Sequence, residues 1–110
     1  MTTANQLKNN CIYIAQTIEK LTDLDTFFKN KVMQIEYNVD ESLEVLGAEL
    51  LVAYGGPTIV VNTSKNIVQG SWGLDKFTTS YKNDKLENYI TQKYYKKFNS
   101  LLVANSMRRI

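Results

Sequence analysis

The apolar residues of this chain repeat with two different periods, and this change constrains the fold more than any other feature. Near the N-terminus they recur every three or four residues, at Leu7, Cys11, Ile14, Ile18 and Leu21. This spacing is typical of one buried helix face and predicts a helix over residues 3–21. From residue 33 onward apolar and polar residues alternate, as they do in half-buried strands. The chain must therefore combine helices and strands.

A short second helix is predicted between these two regions. Thr22 and Asp25 resemble the two ends of a capping sequence, in which Thr22 accepts a backbone hydrogen bond and Asp25 lies near the positive helix end. We expect this helix to continue to about Lys31. Its buried face would consist of Leu24, Phe27 and Phe28.

Four segments have the composition of strands, and a fifth is ambiguous. In the first strand, one face carries Met33, Ile35, Tyr37 and Val39. In the second, one face carries Leu46, Ala48, Leu50, Val52 and Tyr54. The third strand is TIVVNT and the fourth is NIVQGSWG, whereas KFTTSY is either an edge strand or an extended loop. Because the connections are short, we expect an antiparallel meander of three or four strands.

A long helix closes the chain. Asn83 and Asp84 form a plausible helix start, and the apolar positions that follow are Leu86, Ile90, Tyr94, Phe98 and Leu101. The sequence therefore predicts a single α+β domain over residues 1–110. In this fold the meander packs with an N-terminal helix, the short second helix and the long C-terminal helix.

Composition excludes most enzyme classes. The chain has no histidine and one cysteine, Cys11, so it lacks Ser-His-Asp and Cys-His catalytic groups and the usual zinc ligands. It also lacks phosphate-binding glycine motifs. We therefore expect no enzyme, no catalytic residue, no metal and no cofactor, and a buried, inert thiol at Cys11. A membrane span and a signal peptide are not visible, which predicts a cytoplasmic protein.

Acidic residues cluster in the first predicted hairpin. Residues 1–75 carry five Lys/Arg and nine Asp/Glu, and five of the acids fall in a segment without lysine or arginine. These five are Glu36, Asp40, Glu41, Glu44 and Glu49. The pattern fits an ordinary solvated hairpin. It also fits a nucleic-acid mimic that binds the basic groove of a nucleic-acid-binding protein in a salt-sensitive manner.

Basic residues cluster at the other end of the chain. Residues 76–110 carry eight Lys/Arg and two Asp/Glu. The cationic patch proposed from the sequence consists of Lys93, Lys96, Lys97, Arg108 and Arg109. Lysines and tyrosines in the segment KYYKKF could contact phosphates and stack on bases. Tyr94 belongs to the apolar stripe, however, so Tyr95 is the one aromatic ring expected to be free.

Two further features lie in the strand region. Gly55, Gly56 and Pro57 follow the second strand, and they form either a structural corner or an anion cradle made by backbone N–H groups. The corner is favoured because a strand follows it rather than a helix. Trp72, between Ser71 and Gly73, is either a core residue or an exposed binding anchor, and the core is favoured.

The central block resembles small proteins encoded on phages and other mobile elements of Gram-positive bacteria. The resemblance covers roughly residues 37–73. The matching residues are Tyr54, Gly55, Gly56, Pro57, Asn62, Thr63, Trp72 and Gly73.

Some proteins of such elements are anti-CRISPR inhibitors, and the resemblance implies a role of this kind in a bacterial host cell. The partner implied is a CRISPR effector nuclease or its guide-RNA complex, blocked at its nucleic-acid groove. The alternative is a small nucleic-acid-binding accessory protein that uses the basic C-terminal helix. A hydrolase based on carboxylates is a third option, for which no paired motif is visible. The oligomeric state stays open.

Overall fold

A computed structural model describes residues 3–108 and the surroundings of the side chains up to Lys97. The elements are α1 (Thr3–Glu19), α2 (Leu24–Lys31), β1 (Gln34–Val39), β2 (Val45–Ala53), β3 (Thr58–Asn62), β4 (Ile67–Trp72), β5 (Asp75–Ser80) and α3 (Asp84–Arg108). The strands form one antiparallel sheet in the order β1-β2-β3-β4-β5. The predicted α+β meander is therefore confirmed.

The predicted number of strands was wrong, because the ambiguous segment KFTTSY lies in a fifth strand. β5 pairs with β4 along its whole length, from Trp72 opposite Asp75 to Ile67 opposite Ser80. A two-residue turn joins them, and Gly73 has a φ of 62° there. Glycine adopts this conformation without steric cost, so the chain can reverse directly into the last strand.

The helices cover one face of the sheet. Pairing places Ile35, Leu50, Val61 and Val68 side by side on that face, and the last three are buried. They pack with buried residues of the helices, namely Leu7, Cys11, Ala15, Ile18, Phe27, Phe28, Leu86 and Ile90. On the opposite face, Glu36 and Gln69 are exposed and Glu49 is half-buried. The sheet therefore has one core face and one open face.

Helix α1 packs directly on strand β4 at Gly70. Gly70 is buried there, and a Cβ atom at this position would meet Cys11 Sγ and come within 2.7 Å of Leu7 Cδ1. The absence of a side chain lets the helix lie directly on the strand. Cys11 is fully buried, as predicted, and its burial raises the pKa of the thiol.

Two helix starts are held by side chains. The cap of α2 is Asp23, not Thr22 as predicted, because its carboxylate accepts hydrogen bonds from the N–H and hydroxyl groups of Thr26 at 3.1 and 2.6 Å. Both bonds lower the pKa of Asp23. Asn83 caps α3 as predicted, and it also donates from Nδ2 to the carbonyl of Ile18 at 2.6 Å. This bond ties the start of α3 to the end of α1.

Several apolar residues assigned to the buried face are exposed. Met33 precedes β1, and Tyr54 follows β2, so neither lies within a strand. Leu46 is exposed because the register of β1 and β2 shifts between Asn38 and Val39, which leaves this residue without a partner. The predicted core positions Phe98 and Leu101 lie in α3, outside the described side chains.

Candidate binding surfaces

The β1–β2 hairpin brings two of the five predicted acidic residues together. Glu36 and Glu49 are direct cross-strand partners, and both belong to the open face of the sheet. Glu36 is exposed and Glu49 is half-buried. They line a shallow depression of about 130 Å³ whose floor includes Leu51 and Val60. Pockets that enclose small ligands have roughly 300–1,000 Å³, so this surface suits contact with a larger partner.

The other three acids lie in the turn between the two strands. Asp40 stabilises that turn, because its Oδ1 accepts hydrogen bonds from Ser42 N, Ser42 Oγ and Glu44 N at 2.9, 2.8 and 2.9 Å. These bonds, led by the one from the Ser42 hydroxyl, lower the pKa of Asp40. Glu41 and Glu44 are exposed. At about 3.4 Å per residue, the turn begins roughly 10 Å along the hairpin from Glu36.

The open face continues from Glu49 toward the other edge of the sheet. A second depression, of about 300 Å³, extends across β3, β4 and β5. It is lined by Glu49, Thr58, Val60, Gln69, Gly70, Ser71, Lys76 and Thr78. Apart from Val60 and Gly70, these side chains are polar or charged. The open face is therefore a polar surface with a small apolar centre and its carboxylates at the β1–β2 end.

The predicted basic residues line a groove between α2, β1 and α3. Lys93, Lys96 and Lys97 face it from α3, and Lys29 joins them from α2. The groove has a volume of about 720 Å³. Sequence reasoning missed Lys29, since a single lysine in a short helix gives no signal of its own. Arg108 lies in α3 beyond the described side chains, and Arg109 lies outside the described residues.

Aromatic rings form the inner wall of this groove and contact one another. The Tyr89 hydroxyl donates to Asp25 Oδ1 at 2.6 Å, and the Tyr89 ring lies 4.6 Å from the Phe28 ring. Desolvation, with smaller contributions from Asp25, raises the pKa of Tyr89 to about 12. Lys93 Nζ lies 5.8 Å from the centres of both rings. The lysine therefore covers ring faces that a nucleobase would need.

Tyr95 is not the free aromatic residue that the sequence predicted. Its ring centre lies 5.4 Å from that of Tyr94, which in turn lies 5.2 Å from that of Tyr37 on β1. All three side chains are half-buried. These contacts connect α3 to the edge of the sheet, and they occupy the rings that could have stacked on bases.

The glycine-proline block forms the connection between β2 and β3. Gly56 lies against the Trp72 indole, where an added Cβ would come within 3.0 Å of Nε1. Trp72 is half-buried and packs against the core. Gly55 has a φ of 105° and donates to Thr58 Oγ1 at 3.1 Å. Residues Gly56 and Trp72 of the central block therefore contact each other, whereas Tyr54 is 76% exposed beside them.

Asn62 and Thr63 are buried at the opposite end of β3. The Thr63 hydroxyl accepts from Ala48 N at 2.8 Å, and Asn62 Oδ1 accepts from Lys65 N at 3.3 Å.

Within the described part of the chain, no group of His, Cys, Asp or Glu could hold a metal ion. Among the described helices, none is long and apolar enough to cross a bilayer.

Comparison of the whole chain with known proteins gives no matching family, no similar curated protein and no similar solved structure.

Proposed function

We propose that this protein is a non-enzymatic inhibitor that binds a basic, nucleic-acid-binding groove of a partner protein through the β1–β2 end of its open sheet face. The observation that carries the proposal is the direct pairing of Glu36 with Glu49. Like charges opposite each other in a sheet destabilise it by about 0.2–1 kcal/mol. Cationic groups of a partner would offset the repulsion between the two carboxylates. The pair therefore lowers the stability of the unbound protein and favours binding of a basic partner.

The neighbouring residues support a polyanion-like surface. Glu41 and Glu44 extend the row of carboxylates into the exposed turn, and the hydrogen bonds of Asp40 fix the shape of that turn. Charges of one sign on a rigid hairpin steer a basic partner toward it and accelerate association. Since two paired strands hold Glu36 and Glu49, little backbone conformational entropy is lost at these two residues on binding.

The sequence resemblance supports the identity of the partner. Residues 37–73 resemble small proteins of phages and other mobile elements of Gram-positive bacteria, some of which are anti-CRISPR inhibitors. We therefore propose a CRISPR effector nuclease, or its complex with guide RNA, as the bound protein in the cytoplasm of a bacterial host. The inhibitor would occupy the groove that otherwise holds nucleic acid.

A pull-down with effectors of Gram-positive hosts, with and without guide RNA and at two salt concentrations, tests this function. We expect binding that weakens with salt and a loss of binding in the double variant Glu36→Gln/Glu49→Gln. The free energy of unfolding of this double variant should meanwhile stay equal or rise, which separates lost binding from lost folding. Glu19→Gln, an exposed acid at the end of α1, serves as the matched control.

Two results would refute the proposal. One is failure to bind any effector of these hosts. The other is equal binding by the double variant and the unchanged protein. The alternative function, direct nucleic-acid binding by Lys93, Lys96 and Lys97, ranks second because the aromatic rings beside these lysines contact one another and Lys93.

A further inference from the structure

The basic groove contains the free edge of β1. Gln34, Ile35 and Tyr37 of this strand line the groove, together with Val32 and Met33 of the connection that precedes it. Successive side chains of a strand point to opposite faces of the sheet. Gln34 and Ile35 can therefore border one groove only along the backbone edge that they share. The groove therefore presents strand backbone as well as the side chains of α2 and α3.

This edge is available for another strand. β1 is the first strand of the sheet and pairs with β2 on one side. Half of the N–H and C=O groups of such a strand point away from its neighbour, and an extended segment can pair with them. The groove volume of about 720 Å³ gives room for a short extended segment.

The charges of the groove select the chemistry of that segment. Lys29, Lys93 and Lys97 line it, whereas its one acidic residue, Asp25, accepts a hydrogen bond from the Tyr89 hydroxyl. Side chains that face α3 should therefore be acidic. Those on the opposite face would lie beside Glu36 and should be uncharged. The preferred sequence alternates acidic and neutral residues, in keeping with the period of a strand.

We propose that the free edge of β1 binds an extended acidic segment of a partner protein as a sixth strand, with its carboxylates beside Lys29, Lys93 and Lys97. The proposal rests on the strand edge and on these lysines rather than on the Glu36–Glu49 pair, so it does not depend on the function proposed above. A peptide suits the groove better than a single-stranded nucleic acid does. Main-chain hydrogen bonds can satisfy a strand edge, while the ring faces needed for base stacking are covered.

The test uses a fluorescein-labelled seven-residue peptide of alternating glutamate and threonine. Two further versions carry N-methyl groups on the glutamates or on the threonines. In a paired strand, the N–H groups of alternate residues point to the same side. We expect one methylated version to lose binding and the other to retain it. Equal binding of both versions would indicate simple charge attraction and overturn the proposal.

Variants of the protein locate the binding site. We expect Lys93→Gln/Lys97→Gln to weaken peptide binding by roughly three- to tenfold, as the loss of two partly exposed ion pairs would. Lys29→Gln should act in the same direction without removing the contact of Lys93 with Phe28 and Tyr89. Lys65→Gln/Lys82→Gln, two exposed lysines outside the groove, should bind as the unchanged protein does.

A competing oligothymidine of seven nucleotides distinguishes the two classes of ligand. The proposal expects the peptide to bind more tightly than the oligonucleotide under the same salt conditions. It would be overturned by the reverse order, by failure of the peptide to bind, or by equal loss of binding in both lysine double variants.

Discussion

At the scale of single residues, several side chains that suggested chemistry have structural roles. Asp40, taken from the sequence as part of an acidic binding surface, accepts three hydrogen bonds within its own turn. Gly56, one of two glycines that suggested an anion cradle, lies against the indole of Trp72. Both positions shape the ends of the sheet, while Glu36 and Glu49 carry the charge that the open face presents.

Gly70→Ala tests the close contact between α1 and β4. The added methyl group would meet Cys11 Sγ and Leu7, so we expect a loss of about 1–3 kcal/mol in the free energy of unfolding. Urea denaturation measures it, with Gln69→Ala on the exposed face as the matched control.

Gly70→Ala should lower the free energy of unfolding by less when Cys11 is also replaced by alanine. The second change removes Sγ, one of the two atoms that the added methyl group meets. An unchanged denaturation midpoint in Gly70→Ala would show that the helix does not lie directly on the strand.

At the scale of elements, a hydrogen bond and ring contacts join α2 and α3. The bond runs from the Tyr89 hydroxyl to Asp25, and the Tyr89 ring packs on Phe28. Because α2 also precedes β1 directly, this contact holds the two walls of the basic groove together. The width of the groove therefore depends on Tyr89.

The raised pKa of Tyr89 predicts a loss of stability at high pH. Its value of about 12 in the folded protein exceeds the ordinary value of about 10. As the pH rises, the unfolded chain loses this proton first, so the free energy of unfolding should fall between about pH 10 and pH 12. Below pH 10 the protonated Tyr89 hydroxyl makes its full contribution to the free energy of unfolding.

Tyr89→Phe should make this decline shallower, although burial also raises the pKa of Tyr37 and Tyr81. Urea denaturation at pH 8, 10 and 11 measures how steeply the free energy of unfolding falls. The control is Tyr13→Phe, at a position that is 70% exposed. Equal slopes for Tyr89→Phe and the unchanged protein would contradict the prediction.

The elements could largely be predicted from the sequence, because each buries one periodic face. The ambiguity at β5 has a physical cause: its one apolar side chain is Phe77, so alternation is weak and pairing with β4 decides its structure. Exposure of Leu46 depends on a register shift, which no local pattern reveals. The groove at β1 also escaped prediction, since Lys29 meets the lysines of α3 only through tertiary packing.

At the scale of the whole molecule, two oppositely charged surfaces share one strand. β1 carries Glu36 on the open face of the sheet, and its free edge borders the groove with Lys93 and Lys97. The carboxylates and the lysines therefore occupy two different surfaces of the folded protein. These surfaces meet at Gln34, which lines both the groove and the depression beside Glu36.

The different residues of the two surfaces predict different effects of variants. Glu36→Gln/Glu49→Gln should reduce binding to the basic partner, and it should not weaken binding of the acidic peptide, because removing the Glu36 carboxylate removes a negative charge beside that peptide. Lys93→Gln/Lys97→Gln should weaken binding of the acidic peptide and leave binding to the basic partner unchanged. Fluorescence anisotropy with both ligands measures all four combinations. If either double variant impairs both interactions equally, the two surfaces are not separate.

The direct contact of α1 with β4 also has a consequence for how the chain acquires its structure. α1 precedes all five strands in the chain, yet it packs on β4 and β5, which follow three other strands. Contacts between such distant segments require loop closure and form late in folding. The apolar face of α1, including Leu7, Cys11 and Ile18, thus stays uncovered until the last hairpin emerges. Chains truncated before β4 should therefore associate with one another through this helix.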